Sequence, residues 1–227
     1  MVLAGEAGEA LLDSYQDERH PAAQQNLQVT SRTARFMAPR SPIEHELRRA
    51  VIDLARHHAF ARTLVNTGRM SVANPYPPST CLPAGATSVQ NLRLTHADGR
   101  VGRLMELLRE GTNLLGLWFE PAVDQVDAIG DAATDLPLSL HAVGRSTGLP
   151  TLLDPHGRLA AYLGVRAGML CLIRPDAYVA ARIEPLDAAA LCKAVRIVLG
   201  GKVCPTHPAT AQTSRQPRQR EHNDPTT

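Results

Sequence analysis

The sequence predicts an α/β fold: a mixed sheet flanked by helices, with a helical segment ahead of it. Three observations predict this. The apolar run within 113–119 fits a central strand buried on both faces, and 136–143 reads as a second buried strand. Helical and strand-like patterns alternate from Leu92 to Leu199. Before Pro75 the periodicity is that of helices.

The helical segment comes first. Leu11, Leu12 and Tyr15 sit at helical spacing, with Asp17, Glu18 and Arg19 on the other side. Pro21 ends or kinks that helix, or begins the next, and 22–37 reads as a second helix or a continuation. The next helix is announced by its cap: Ser41 at N-cap, Pro42 at N1 and Glu44 at N3. Ile43, Leu47, Val51 and Leu54 recur every three or four residues, and Ala61 and Leu64 continue the stripe as one apolar face. Glu44 with Arg48, and Asp53 with His57, are spaced as i,i+4 pairs, and Gly68 offers a C-terminal stop. Pro75, Pro77, Pro78 and Pro83 then mark a linker or extended surface segment over 75–87, where a domain boundary is placed.

Within 88–203 the expected order is as follows. Leu92 to Thr95 is a strand, Asp98-Gly99 a turn, and Val101 to Glu110 a helix with Leu104, Leu107 and Leu108 inward. The strand 113–119 is followed by a helix over 122–133 and the strand 136–143. Asp154-Pro155-His156-Gly157 is a turn leading into a short helix through Tyr162. Strands 169–173 and 178–183 form a hairpin around Arg174-Pro175-Asp176-Ala177. A helix from Leu186 to Leu199 closes the domain at Gly200-Gly201. This order is thioredoxin-like. Residues 204–227 carry almost nothing apolar, so disorder is expected there.

Composition narrows the function. At 227 residues, 44% of them hydrophobic, the chain is large enough to bury a core. Aromatics are only 4%, so that core is built from Ala, Leu and Val. A net charge of +2 gives no reason to expect a nucleic-acid partner. No apolar run reaches the ~18 residues of a membrane span, and no export signal is visible, so a cytoplasmic location is expected.

The four cysteines, Cys81, Cys171, Cys192 and Cys204, form neither a C-x-x-C pair nor a zinc pattern. They read as incidental thiols. A thioredoxin-like redox centre places its thiol at the helix start after the first central strand, where the helix dipole lowers its pKa. Here that position reads Glu120-Pro121-Ala122-Val123, which excludes thiol chemistry of that kind. His57-His58 point about 100° apart on a helix and cannot easily share an ion. His156 beside Asp154 belongs to a turn, and His20 beside Glu18 reads as a surface pair. No G-x-S-x-G elbow occurs.

Six stretches carry a resemblance. Leu11-Leu12-Asp13-Ser14-Tyr15-Gln16-Asp17-Glu18-Arg19-His20-Pro21 resembles the L-L-x-x-Y-x-x-E-R-x-P segment that closes the flavin-binding domain of FAD-dependent aromatic-ring hydroxylases. Thr33-Ala34-Arg35-Phe36-Met37-Ala38-Pro39-Arg40 and Leu64-Val65-Asn66-Thr67-Gly68-Arg69 resemble the phenol hydroxylase and 3-(3-hydroxyphenyl)propionate hydroxylase branch. Asp98-Gly99, Tyr162-Leu163-Gly164-Val165 and Leu172-Ile173-Arg174-Pro175-Asp176-Ala177-Tyr178-Val179-Ala180 resemble the thioredoxin-like domain that ends such enzymes.

The resemblance implies a C-terminal fragment of an NAD(P)H- and O2-dependent flavoprotein monooxygenase acting on an aromatic substrate. Residues 1–74 are then the helical remnant of its FAD-binding domain. The family's G-x-G-x-x-G turn, which meets the FAD pyrophosphate, is absent, as is its later G-D-A-A-H segment. Gly5 and Gly8 precede a helix but follow no complete strand. The expectation is therefore a chain that is inactive and holds no FAD alone, with no catalytic, cofactor-binding or metal residue of its own. The apolar face of Ile43, Leu47, Val51 and Leu54 is expected to be exposed, favouring self-association or a separate flavin-binding chain. Glu18 and Arg19 are expected to anchor their helix to the flavin-binding domain or to solvent. The alternative is a non-catalytic thioredoxin-like module for interaction or dimerisation.

Overall fold

The computed structural model of the chain describes residues 2–3, 5, 7–65, 72–109 and 113–201. The expectations on Gly68, Cys204 and the tail 204–227 lie outside these residues, as does most of the stretch from Leu64 to Arg69.

The helical segment contains α1 (Ala10–Met37), α2 (Pro42–His57) and α3 (Ala59–Val65). α1 is a single helix of 28 residues that runs through Pro21. Proline forfeits one backbone bond there, yet contacts hold the backbone on both sides. Glu18 is buried upstream, and downstream the Asn74 side-chain amide donates to the Ala22 carbonyl at 3.0 Å. α2 starts as its cap requires: the Ser41 hydroxyl accepts from the Glu44 N–H at 3.2 Å, and Glu44 accepts in turn from the Arg40 N–H at 2.6 Å. Glu44 is thus used at the cap rather than paired with Arg48. The exposed ion pairs are Glu46–Arg49 at 3.2 Å and Asp53–Arg56 at 3.5 Å, one residue closer in spacing than the expected pairs.

The long stripe is not one helix. His58 turns extended (φ −125°, ψ 125°), and α3 restarts behind it. The Arg62 guanidinium reaches back to the Ala55 carbonyl at 2.9 Å, satisfying an acceptor that the end of α2 leaves without a helical donor.

The α/β body contains β1 (Arg93–His96), β2 (Val101–Arg103), α4 (Leu104–Arg109), β3 (Leu114–Phe119), α5 (Val126–Thr134), β4 (Leu138–Val143), β5 (Thr151–Leu153), α6 (Arg158–Leu163), β6 (Leu170–Ile173), β7 (Val179–Ile183) and α7 (Ala188–Val198). They build one sheet in the order β2-β1-β5-β4-β3-β6-β7. β4 runs parallel to β3 and β5, while every other neighbour is antiparallel. The unit β3-α5-β4-α6-β6-β7-α7, with β4-β3-β6-β7 adjacent, has the thioredoxin-like connectivity that the order of elements predicts. The mixed sheet flanked by helices is the fold class expected.

β3 shows why an unbroken apolar run is needed. All six of its residues are buried. Leu114 and Trp118 face the core shared with α5 and α7, while Leu115, Leu117 and Phe119 face the core shared with α4 and α6. Each buried leucine contributes about 1.5–3 kcal/mol.

Two expectations on the α/β body are corrected, and one strand was not foreseen. The helix over 101–110 begins only at Leu104, because Val101–Arg103 pairs with β1 across the Asp98-Gly99 turn. Gly99 takes φ +85° there, a conformation that glycine adopts freely. The helix over 122–133 opens as a 3-10 turn, Val123–Gln125, before α5. β5 was not foreseen: three residues show no periodicity, and the neighbouring β1 and β4 supply its pairing.

The proline-rich stretch 75–87 is a packed loop. Tyr76 and Ala86 exchange backbone hydrogen bonds at 2.8 and 3.0 Å, and Cys81 and Leu82 are fully buried. The Tyr76 ring stacks on Tyr178 at 3.9 Å.

Candidate functional site

The position that carries the thiol in thioredoxin-like redox proteins lies just after β3. Glu120 occupies it with φ +43°, followed by Pro121. Cys171 lies across the sheet on β6, where burial pushes its thiol up to about 12, so it stays protonated and unreactive. Cys81 is buried as well, and Cys192 is half-buried.

The Gly5–Gly8 stretch does not fit a dinucleotide. The Gly8 N–H donates to the Leu199 carbonyl at 2.8 Å, and a Cβ on Gly8 would run into the Gly200 carbonyl oxygen. Gly8 is therefore a contact point between the start of α1 and the end of α7. The first amides of α1 turn inward: Leu11 donates to the Gly8 carbonyl and Leu12 to that of Glu9. A pyrophosphate needs these N–H groups free and pointing at it.

Among the described residues no three His, Cys, Asp or Glu side chains are grouped to hold a metal ion. His57 and His58 are exposed at the break between α2 and α3. Asp154 accepts from the Ala160 N–H at 3.0 Å, and His156 beside it is exposed in the turn. His20 lies within 3.5 Å of the Gln24 amide rather than beside a surface Glu18. No helix of the described residues is long and apolar enough to cross a membrane.

Two features stand out. The first is a buried charge cluster where α1 meets the β6–β7 hairpin. Glu18, 1% exposed, accepts from Arg174 at 2.8 Å and from the Ser79 hydroxyl at 2.9 Å. Arg174 also donates to Asp176 at 2.9 Å, and Arg19 reaches the same carboxylate at 3.7 Å while lying over the Tyr76 ring at 5.2 Å. The two neighbouring carboxylates outweigh burial and raise the pKa of Arg174, which keeps it charged. Glu18 and Arg19 thus anchor α1 to the α/β body, which corrects the expectation that they face a flavin-binding domain or solvent. The sequence singles out Glu18-Arg19 and Arg174-Pro175-Asp176 separately. It gives no sign that they meet, because 156 residues separate Glu18 from Arg174.

The second feature is the outer face of the helical segment. Ile43 is 81% exposed, Leu47 61% and Leu54 43%, while Val51 is half-buried. α2 has no buried residue at all. Between α1, α2 and α3 a groove of about 700 Å³ is lined by Val29, Phe36, Leu47, Val51 and Leu64, with Arg32 and Arg48 on its wall.

Known proteins with the same pattern were found by sequence and by structure. No family model matches the chain. A 4-methyl-5-nitrocatechol 5-monooxygenase from Burkholderia sp is 30% identical over 214 residues, covering 88% of this chain and 37% of the relative. A tetracenomycin A2 monooxygenase-dioxygenase from Streptomyces glaucescens is 31% identical over 199 residues, covering 83% of this chain and 33% of the relative. The anhydrotetracycline hydroxylase of Streptomyces rimosus superposes with a TM-score of 0.57 at 24% identity, over 89% of this chain and 38% of that one. The fold therefore recurs in aromatic hydroxylases, one of them, an aklavinone-11 hydroxylase, solved with FAD (TM-score 0.57, 22% identity, 87% of this chain and 37% of that one). The chain resembles the C-terminal part of flavin-dependent aromatic monooxygenases. It spans about a third of the length of the curated relatives it matches, 33–37%.

Proposed function

We propose that this chain supplies the C-terminal part of a flavin-dependent aromatic monooxygenase and works with a flavin-binding part, in the same polypeptide or on a second chain. Residues 1–74 contribute helices to the face of that part, and 88–203 form the thioredoxin-like domain. The assembled enzyme hydroxylates an aromatic substrate in the cytoplasm, taking electrons from NAD(P)H and oxygen from O2. The alignment of most of this chain with the Burkholderia enzyme carries the reading. The exposed Ile43, Leu47 and Leu54 support it, because they are where a further layer of protein would pack.

In this reading the chain's residues build and position; none touches the reacting atoms. The start of α1 is closed by Gly8 and Leu199, so the chain alone holds no FAD. Expression alone, and together with a flavin-binding domain of the type its relatives carry, tests this. The chain alone elutes colourless from gel filtration with excess FAD. The pair co-elutes as a yellow complex that oxidises NAD(P)H faster when a phenol is added. Flavin retained by the chain alone overturns the reading. A pair that fails to associate leaves the thioredoxin-like module without an oxidoreductase partner and overturns it too.

A further inference from the structure

Among the described residues α1 is held to the α/β body and the loop before it as far as Asn26. Gly8 meets Leu199, the Cys81 thiol lies 3.7 Å from the Ala10 carbonyl, Ser14 and Glu18 are buried, and Asn74 bonds Ala22 and Asn26. Beyond Asn26 the helix leaves that surface: Leu27 and Met37 are both exposed, and α2 and α3 are carried at its far end. From Glu18 to Met37 the helix spans 19 residues, roughly 28 Å at the helical rise. A tilt of ~10° at Glu18 would move the far end by ~5 Å. The direction of α1 at Glu18 therefore decides where α2 stands relative to the sheet.

One ion pair dominates that point. Glu18 and Arg174 meet at 2.8 Å with side chains 2% and 14% exposed, and Ser79 takes the second carboxylate oxygen. Arg174 sits in the tight turn between β6 and β7, where Ala177 has φ +66° and the Arg174 and Tyr178 backbones are bonded at 2.9 Å. Its base is therefore rigid. Asp176 holds the other side of the guanidinium and links it to Arg19, one residue along α1. Two consecutive residues of α1 are thus gripped by two alternate residues of one hairpin.

We infer that Glu18, Arg19, Arg174 and Asp176 form a clasp that fixes the angle of the α1–α3 arm against the α/β body, as a joint separate from the body's own core. The clasp rests on contacts within this chain and holds whether or not a flavin-binding part is its partner. Opening it costs the arm its direction while leaving the sheet intact. A buried charge that loses its partner is strongly destabilised, so α1 swings away from the hairpin at Glu18 while its Gly8–Leu199 contact remains.

The test compares the full chain with Glu18→Gln and Arg174→Ala, by hydrogen exchange, small-angle scattering and the emission of Trp118, the single tryptophan, buried in β3. In Glu18→Gln the amides of 14–25 exchange at least about tenfold faster, and in Arg174→Ala about a hundredfold faster. The radius of gyration rises, while Trp118 emission and the exchange of β3 and β6 stay as in the parent chain. Arg174→Lys, which keeps the charge but not the fork, falls between parent and Arg174→Ala. Unchanged exchange over 14–25 overturns the clasp. Equal acceleration in β3 and β6, or a red shift of Trp118, also overturns it, because the pair is then part of the core. If Arg174→Ala does not fold, the milder Glu18→Gln carries the same decision.

Discussion

Leu117, Leu170 and Leu172 of the α/β body are fully buried, whereas Leu47 and Ile43 of α2 stand mostly in water. Both regions are written in the same aliphatic alphabet, and both have regular periodicity. The difference lies in what is opposite. In the sheet every apolar face meets a helix of this chain: α5 and α7 on one side, α4 and α6 on the other. Among the described residues α2 packs against α3 and lines a groove with α1, and Ile43 and Leu47 of its stripe stay mostly exposed. The lesson is that an amphipathic helix specifies a face, not a partner. A second body is what turns that face into a core.

Several substitutions can break or sharpen this contrast. Leu172→Ala, which empties space in the middle of β6, should cost about 2–5 kcal/mol in urea unfolding. A loss below ~1 kcal/mol would mean that the body is not the rigid partner described here. Gly8→Ala drives a methyl into the Gly200 carbonyl, so α1 must shift from α7, at a cost of about 1–3 kcal/mol measured the same way.

Alkaline pH acts on the body through Cys171 and Tyr76. Cys171 has its pKa raised by burial to about 12, and burial together with the neighbouring Tyr178 raises Tyr76 as well. The unfolded chain gives up these protons earlier, so the folded state binds more protons and loses stability as pH rises. The contribution of Cys171 is fully present below about pH 9 and fades towards 12, with a slope of up to ~1.4 kcal/mol per pH unit. Cys171→Ala should remove that group's share of the slope in urea titrations between those limits.

Smaller effects belong to the arm. Ser41→Ala removes the α2 cap and should cost about 1 kcal/mol, read as faster amide exchange in the first turn of α2 and nowhere in the sheet. Leu47→Ser should change stability by less than ~0.5 kcal/mol but reduce concentration-dependent association in sedimentation. A large destabilisation by Leu47→Ser would show that its face is already covered.

The elements best read from sequence are those with the strongest local signal. β3 announces itself as an unbroken apolar run, β4 by its leucine- and valine-rich stretch, the hairpin of β6 and β7 by its Arg174-Pro175-Asp176-Ala177 turn, and α2 by Ser41-Pro42. β5 and β2 were not legible as strands, because three residues are too few to show a period and their hydrogen bonds come from neighbours. Pro21 is an ambiguous sign locally, and α1 runs through it with Glu18 buried on one side and Asn74 bonded to the Ala22 carbonyl on the other. The role of Glu18 was misread for a related reason: a carboxylate on a polar helix face looks solvated until its distant arginine is known.

Composition and periodicity by themselves determined the α/β class, the helical segment before it and the want of a thiol after the first central strand, while short motifs such as Leu11–Pro21 and Leu172–Ala180 carried the resemblance to aromatic hydroxylases. These depend on residues near one another in the chain, whose preferences act locally. Tertiary structure alone decided the order of the seven strands, the closure of the α1 start by Gly8 and Gly200, and the meeting of Glu18 with Arg174. Such pairings join residues far apart in the chain, and their energy exists only once the chain has folded to bring them together and shut out water.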